Sequence, residues 1–347
     1  MGWLGLDDTD SLAGGCTTKT MEELILNLPK NVQVGTVRLV RLWPFASGRT
    51  RGNAALAVEL QCEDEEFLIA HLNSWWMNEL SPLKGLISPS HHSDRPQVPS
   101  DPGMVWFDSQ PDELHYWSAV QHHVAIDDVP PATKSWGGAG VIGATAAVAW
   151  PGRTSTWEAI AWRHTSDGSK PRSVCLESLE EIDSWPGTFM SRDPRSGTSL
   201  IAPRGHSPVL CGVRAKTELE ASKALAHVLS SQHTERSAGS RTFMTNQATG
   251  DHLQPATRAV VEEIEVHSQR KHARIQTSDG IWVSFGEGGP VNQLSRWLNK
   301  GDLVEMKGLK SDDGTFHLEQ LRVVSWNARN KQRPLCLVCN VRMKSMG

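Results

Sequence analysis

The sequence predicts a multidomain protein that joins α/β and α+β segments to a small β-barrel, and three observations predict it. At 347 residues the chain exceeds what one ordinary hydrophobic core serves, so about two to four domains are expected. Residues 1–132 alternate apolar stretches, Val37 to Leu42 and Ala54 to Leu60, with helical patterns such as Glu65 to Leu80, the mark of an α/β or α+β domain. After Pro255, short apolar segments broken by Gly-containing turns read as the five strands of an OB-type barrel.

The first element is a strand through Trp3, Leu4 and Leu6, and it runs into three carboxylates, Asp7, Asp8 and Asp10, with Ser11 beside them. Carboxylates this close repel and raise one another's pKa unless a divalent cation neutralises them. Gly14-Gly15-Cys16-Thr17-Thr18 follows and opens a helix from Thr17 to Leu28, so backbone N–H groups there are placed to cradle a phosphate beside the metal. The pattern is that of a nucleoside-triphosphate site. The alternative is an Asp-rich turn with a Thr cap. Arg38, Arg41, Arg49 and Arg51 are the candidate phosphate clamps, or surface arginines on a strand pair. The stretch from His91 to Pro102, rich in Pro, His and Asp, is a surface loop or a lid.

A second segment, 133–253, begins at the run Gly137-Gly138-Ala139-Gly140, read as a flexible link or as the entry to the small-residue helix Val141 to Ala149. Strands from Trp157 to Arg163 and from Pro208 to Arg214, the helix Glu218 to Leu229 and a last strand give a ferredoxin-like count. The barrel occupies 254–327, with strands Arg258 to Val266, His272 to Thr277, Ile281 to Phe285, Leu303 to Lys310 and Thr315 to Val323.

The last segment, 328–347, is a basic arm. Net charge is −4, yet no acidic residue follows Glu319, while Arg322, Arg329, Lys331, Arg333, Arg342 and Lys344 do. That asymmetry suits a phosphate backbone, with Arg329, Lys331, Arg333, Arg342 and Lys344 as RNA contacts. Cys336 and Cys339 form a lone CxxC, half of a zinc knuckle or two free thiols. Structural zinc takes four ligands, so the site is incomplete and the chain reads as truncated. Cys16, Cys62, Cys175 and Cys211 are too scattered for a disulfide framework. No apolar run approaches the ~20 residues of a membrane span and no signal peptide is visible, so the expected location is cytoplasmic, without a membrane partner.

Taken in order, the DDTDS run at Asp7–Ser11, GGCTT at Gly14–Thr18, RLVRL at 38–42, RTRGN at 49–53, GVIGA at Gly140–Ala144 and RTFMTNQAT at Arg241–Thr249 resemble the archaeal tRNA-isoleucine 2-agmatinylcytidine synthetase family, TiaS, over nearly the whole chain. The resemblance implies a kinase-like ATP domain, a ferredoxin-like domain, an OB fold and a zinc ribbon. It implies the joining of agmatine to C2 of the wobble cytidine of an isoleucine tRNA with a CAU anticodon, ATP being consumed to AMP. It puts Mg²⁺ and ATP on Asp7, Asp8 and Asp10, and a phosphorylated hydroxyl on Thr17 or its neighbour Thr18. Ser11, Gly14, Gly15 and Asn53 then join the arginines as ATP and phosphate contacts, and zinc falls on Cys336 and Cys339. One segment departs: where the family has a sequence of the NPNIPWKT kind, this chain has WPFASGRT, with Trp43 for Asn and Arg49 for Lys. Two other readings of the same residues are a small-molecule kinase or ligase built on the Asp cluster, and a non-catalytic OB-fold RNA-binding protein.

Overall fold

The computed structural model describes the chain except residues 12–13, 47–48, 50–51, 86–98, 168–169, 194–196, 202–205, 330–334, 337 and 344–347. It divides into two compact units, Met1–His252 and Leu253–Gly347.

In the first unit, β1 (Gly2–Asp7), α1 (Thr17–Asn27), β2 (Gln33–Val34), β3 (Arg38–Arg41), β4 (Ala54–Gln61), α2 (Glu65–Trp75), β5 (Gly103–Phe107), α3 (Leu114–Gln121), β6 (Lys134–Gly137), α4 (Gly140–Ala149), β7 (Thr156–Arg163), α5 (Leu176–Asp183), β8 (Val209–Ala215), α6 (Glu218–Ser230) and β9 (Ser237–Thr245) follow in order. Their strands form one sheet in the order β6-β5-β1-β4-β3-β9-β7-β8, with β2 beside β4. The strands of the two sequence segments therefore share a sheet. The join is β3 against β9, parallel, with Arg38 opposite Met244 and Leu39 opposite Thr245; the other pairings are antiparallel.

β1 is apolar because both of its faces are covered. Leu4 and Leu6 pack with Met21, Leu24, Leu68 and Leu72 from α1 and α2, while α3 and α4 cover the other face through Tyr116, Ala119, Val141 and Ala144. α4 lies on β1 at a spacing only small residues permit: a Cβ on Gly5 would meet the Ala144 carbonyl oxygen at 2.4 Å. The Gly137–Gly140 run is likewise a close-packing device and not a flexible link. A side chain at Gly138 would strike the Asp101 carboxylate at 2.1 Å, and one at Gly140 the Gly103 nitrogen at 2.3 Å. The helix read from Glu65 to Leu80 is α-helical to Trp75 and π-helical over Trp76–Leu80. β5, α3, β6 and α5 lack sequence signals of their own, being four to eight residues long.

The second unit is a closed five-stranded barrel, β10-β11-β12-β14-β13. Its elements are β10 (Thr257–Val266), β11 (Ala273–Thr277), β12 (Gly280–Ser284), α7 (Gly289–Trp297), β13 (Leu303–Lys310) and β14 (Phe316–Ser325). Alternate residues point inward: Val261, Ile275, Trp282, Val304, Met306 and Leu318 form the core, and Trp282 stacks on Phe316 at 4.4 Å. The five strands fall where the turn spacing puts them. The helix between the third and fourth is not legible in the sequence, since it opens with Gly289-Pro290 after a Gly-rich turn. Among the described residues no helix is long and apolar enough to cross a membrane.

Candidate active site

β1 ends in the middle of the sheet, and its last residue begins the acidic loop. Asp8 adopts a left-handed backbone, φ 55°, a conformation Asp tolerates better than most residues. That turn folds the loop on itself: the Asp8 N–H donates to Asp7 Oδ1 at 2.7 Å, and the Asp101 N–H donates to Asp8 Oδ2 at 2.8 Å. Asp101 in turn accepts from the Ala139 N–H at the start of α4 and pairs with Lys84 at 2.9 Å. The Ser100 hydroxyl donates to the Asp10 carbonyl. The described end of the Pro- and His-rich stretch thus supports the acidic loop; residues 91–98 of that stretch lie outside the described residues.

Asp7, Asp8 and Asp10 line one pocket of about 370 Å³ together with Thr17, Thr18, Arg41, Arg49, Asn53, Gly143 and Glu158. Burial, reinforced by Asp8, raises the Asp7 carboxyl well above its ordinary value. Burial likewise pushes Asp8 up to about 7, with Asp10 and Asp101 adding to the rise. These groups are short of positive charge. Among the described residues no three His, Cys, Asp or Glu side chains converge as a metal cage. Mg²⁺ is usually held by one or two carboxylates plus substrate phosphates rather than by an all-protein cage, so the charge-starved pair fits it.

α1 starts beside these acids. Its N-cap, Cys16, makes no side-chain cap bond and its first turn carries no acidic residue, which leaves N–H groups and the positive end of the helix for an anion. The two threonines differ. Thr18 Oγ1 accepts from the Trp162 indole at 3.2 Å and lies 2.9 Å from Cys16 Sγ, whereas the Thr17 hydroxyl makes no hydrogen bond among the described residues although it lines the same pocket. Ser11 and Gly14 bond each other's backbone and Gly15 has φ 78°; these three shape the turn and do not line the pocket.

The arginines divide. Arg41 points to Glu158 at 2.5 Å, and its buried Nε has no hydrogen-bond partner among the described residues. Arg49 lines the pocket and donates to the Ala46 carbonyl. Arg38 does not reach the pocket: it lies 4.0 Å over the Trp3 ring and donates to the Trp150 carbonyl, on the opposite face of the strand from Leu39. Asn53 reaches the pocket but spends its amide on the Trp43 carbonyl, so it braces the loop. Arg51 lies outside the described residues.

Sequence reasoning misses two residues here. Glu158 is fully buried on β7 between Arg41 and Arg214; burial works against its charge, but the two guanidinium groups outweigh it and hold the carboxyl below its usual range. The signal available is one carboxylate inside the apolar run Thr156–Arg163. Asn246 falls within a motif that by itself gives it no role. Its Oδ1 accepts from the Arg41 N–H at 2.7 Å and its Nδ2 donates to the Arg41 carbonyl at 2.9 Å, so a side chain continues the β3–β9 ladder where the backbone leaves it.

In the second unit, Arg329 is not a free cation for RNA. It forms a two-pronged pair with the buried Asp302 at 2.6 and 2.9 Å and lies 4.1 Å over the Trp297 ring. Cys336 and Cys339 approach through a tight turn, the Asn340 N–H donating to the Cys336 carbonyl. The Cys339 and Val338 backbone N–H groups and the Cys339 side chain lower the Cys336 thiol. These are two of the four donors zinc needs, and among the described residues no third joins them. Arg342 is exposed; Lys331, Arg333 and Lys344 lie outside the described residues.

Fold and site together define an α/β enzyme whose acid- and hydroxyl-lined pocket precedes a separate five-stranded barrel. Residues 3–139 match the TiaS TCKD domain and residues 138–252 the TiaS FLD domain. The isoleucine-tRNA 2-agmatinylcytidine synthetase TiaS of Pyrococcus horikoshii is 31% identical over 380 residues, covering 99% of this chain and 86% of the relative; that of Methanosarcina acetivorans is 30% identical over 387 residues, covering 99% and 86%. Among solved structures, a complex of TiaS with its isoleucine tRNA and ATP superposes with a TM-score of 0.78 at 26% identity, covering 100% of this chain and 86% of the other. A complex of TiaS with the same tRNA, AMPCPP and agmatine gives 0.77 at 25%, covering 96% and 86%. The chain belongs to the TiaS family.

Proposed function

We propose that this chain is an ATP-dependent synthetase that joins agmatine to C2 of the wobble cytidine of an isoleucine tRNA. One observation carries the reading: a single pocket holds charge-starved Asp7 and Asp8, the unengaged Thr17 hydroxyl and the uncapped start of α1. The names of the relatives, and the tRNA, ATP analogue and agmatine in the related complexes, supply the substrates.

The C2 carbonyl of cytosine is urea-like and does not lose its oxygen to an amine. Phosphorylation of that oxygen makes it a leaving group; the agmatine nitrogen then forms the new C–N bond, sheds a proton, and the C–O bond breaks to release phosphate. Phosphoryl transfer asks mainly for positioning and neutralised charge. Asp7 and Asp8, with Asp10 in the same pocket, would hold Mg²⁺ together with the substrate phosphates, whose charge it offsets when bound. Arg41, whose Nε has no partner among the described residues, and Arg49 clamp the phosphates, and Thr17 is the hydroxyl that accepts a phosphoryl group. No step is assigned to zinc, for which Cys336 and Cys339 offer half a site. In this reading residues 1–132 are a kinase-like domain, 133–253 ferredoxin-like, 254–327 an OB fold and 328–347 a basic arm with half of a zinc ribbon, the cations of the arm other than Arg329 holding tRNA in the cytoplasm.

The test is incubation with ATP, agmatine and transcripts of isoleucine and methionine tRNAs. The expected result is the mass increment of agmatine less water on the wobble cytidine of the isoleucine transcript alone. ATP consumption with both transcripts unmodified would point instead to a kinase acting on a small molecule.

A further inference from the structure

The barrel unit exposes two neighbouring indoles. Trp297, the last residue of α7, and Trp326, just after β14, are 45% and 62% exposed, with ring centroids 6.4 Å apart. Neither is loose. The Asn327 N–H donates to Asp302 Oδ1 at 3.0 Å, and Arg329 grips the same carboxylate while lying over Trp297. The chain is thus pinned on both sides of Trp326, by β14 before it and by Asn327 and Arg329 after it. A backbone held in this way need not be ordered when a ligand arrives.

The charges nearby favour an anion. Arg296 and Lys300 are exposed at the same corner, the Asp302 carboxylate is buried and neutralised by Arg329, and the chain carries no acidic residue after Glu319. Flat indole faces among cations are the arrangement that holds unpaired nucleotides, bases on the rings and phosphates on the basic side chains. We propose that the indole of Trp326, set at 68° to that of Trp297, over which Arg329 lies, stacks an unpaired base of the tRNA, with Arg296 and Lys300 on the backbone. The proposal rests on the tRNA reading given above and adds to it a stacking site on the barrel.

Stacking and phosphate contact leave different signatures, because releasing counterions sets the slope of log affinity against log salt and stacking does not. Binding of the isoleucine transcript, of a short single-stranded RNA and of a blunt RNA duplex is measured across a salt series for the full chain, Trp326→Ala and Trp326→Phe, with thermal unfolding as the check on folding. Trp326→Ala should weaken transcript and single-stranded RNA roughly 5- to 100-fold with the slope unchanged and the duplex unaffected, and Trp326→Phe should restore most of the affinity. Wild-type affinity in Trp326→Ala would overturn the stacking site and leave the synthetase reading intact; so would a weakening accompanied by a flattened slope, which marks disturbed phosphate binding. A wild-type chain that ignores the transcript but binds single-stranded RNA through Trp326 would keep the stacking site and remove the tRNA reading. Failure of the wild type on both RNAs would remove both.

Discussion

Gly143 and Asp7 stand so close that a Cβ on the glycine would lie 1.9 Å from Asp7 Oδ2. The α-carbon of one residue therefore serves as the wall for the carboxylate of another, and position 143 of α4 has no room for a side chain beside that acid. Alanine at 143 favours the helix by about 0.5–1 kcal/mol, so helix propensity alone predicts a harmless change. The close approach predicts the opposite. Gly143→Ala should displace Asp7 and lower ATP cleavage by about 100-fold or more, as misplacement on the order of 1 Å does, measured as AMP release with folding followed by circular dichroism.

The acidic loop acts as a unit in the proposed reaction, and Asp8→Asn should abolish ATP cleavage. Crowding by Asp10 and Asp101 on a buried carboxyl also means that the neutral amide relieves repulsion. The variant should therefore unfold at no lower temperature than the parent in metal-free buffer, a combination that separates a catalytic loss from a folding defect.

The two threonines should part under substitution. With γ-labelled ATP, Thr17→Val should lose label from the peptide that contains both residues, while Thr18→Val should keep it. The second variant takes the acceptor from the Trp162 indole, and a buried donor left unpaired costs about 1–3 kcal/mol, visible as a lower denaturant midpoint. Label absent from Thr18→Val and retained in Thr17→Val would reverse the assignment.

Glu158 ties Arg41 to Arg214. Its carboxyl titrates below the unfolded value, so its contribution to stability is present above the usual carboxylate pKa and is lost as pH falls through the lower folded value. Glu158→Gln strands two cations, one of them largely buried, and should destabilise the first unit by about 3–5 kcal/mol at neutral pH. The difference between variant and parent should shrink on acidification below about pH 4, as read from urea unfolding across pH.

Arg329 sets where the arm can be cut. Deleting 330–347 should leave the barrel's melting temperature unchanged and flatten the salt slope for tRNA by roughly 0.7–0.9 for each phosphate no longer neutralised; ATP cleavage without tRNA should survive. Starting the deletion at 329 leaves Asp302 buried without its cation and should lower barrel stability by about 3–5 kcal/mol, measured by calorimetry.

What the sequence discloses depends on distance along the chain. The acids and the threonines are neighbours in sequence and neighbours around the pocket, so their convergence is legible as a string. The barrel strands are legible because turns punctuate them. Arg38 and Arg329 depart from expectation for a common reason: a cation in a sequence looks free until the Trp3 ring, or an Asp302 that precedes it by 27 positions, is seen against it. Glu158 and Asn246 are opaque because each acquires its role from a strand pairing between remote segments. A buried acid in an apolar run is the one local hint.

The Asn246 clamp on Arg41 spans 205 positions, and Glu158, Ile160, Ser207 and Val209 line the pocket with the N-terminal acids. During synthesis the acids and threonines emerge first, and more than half the chain must follow before β9 can pair with β3. Closure of so long a loop is slow compared with local pairing. A chain that stops short of residue 246 therefore carries the acidic loop without the Asn246 clamp on Arg41.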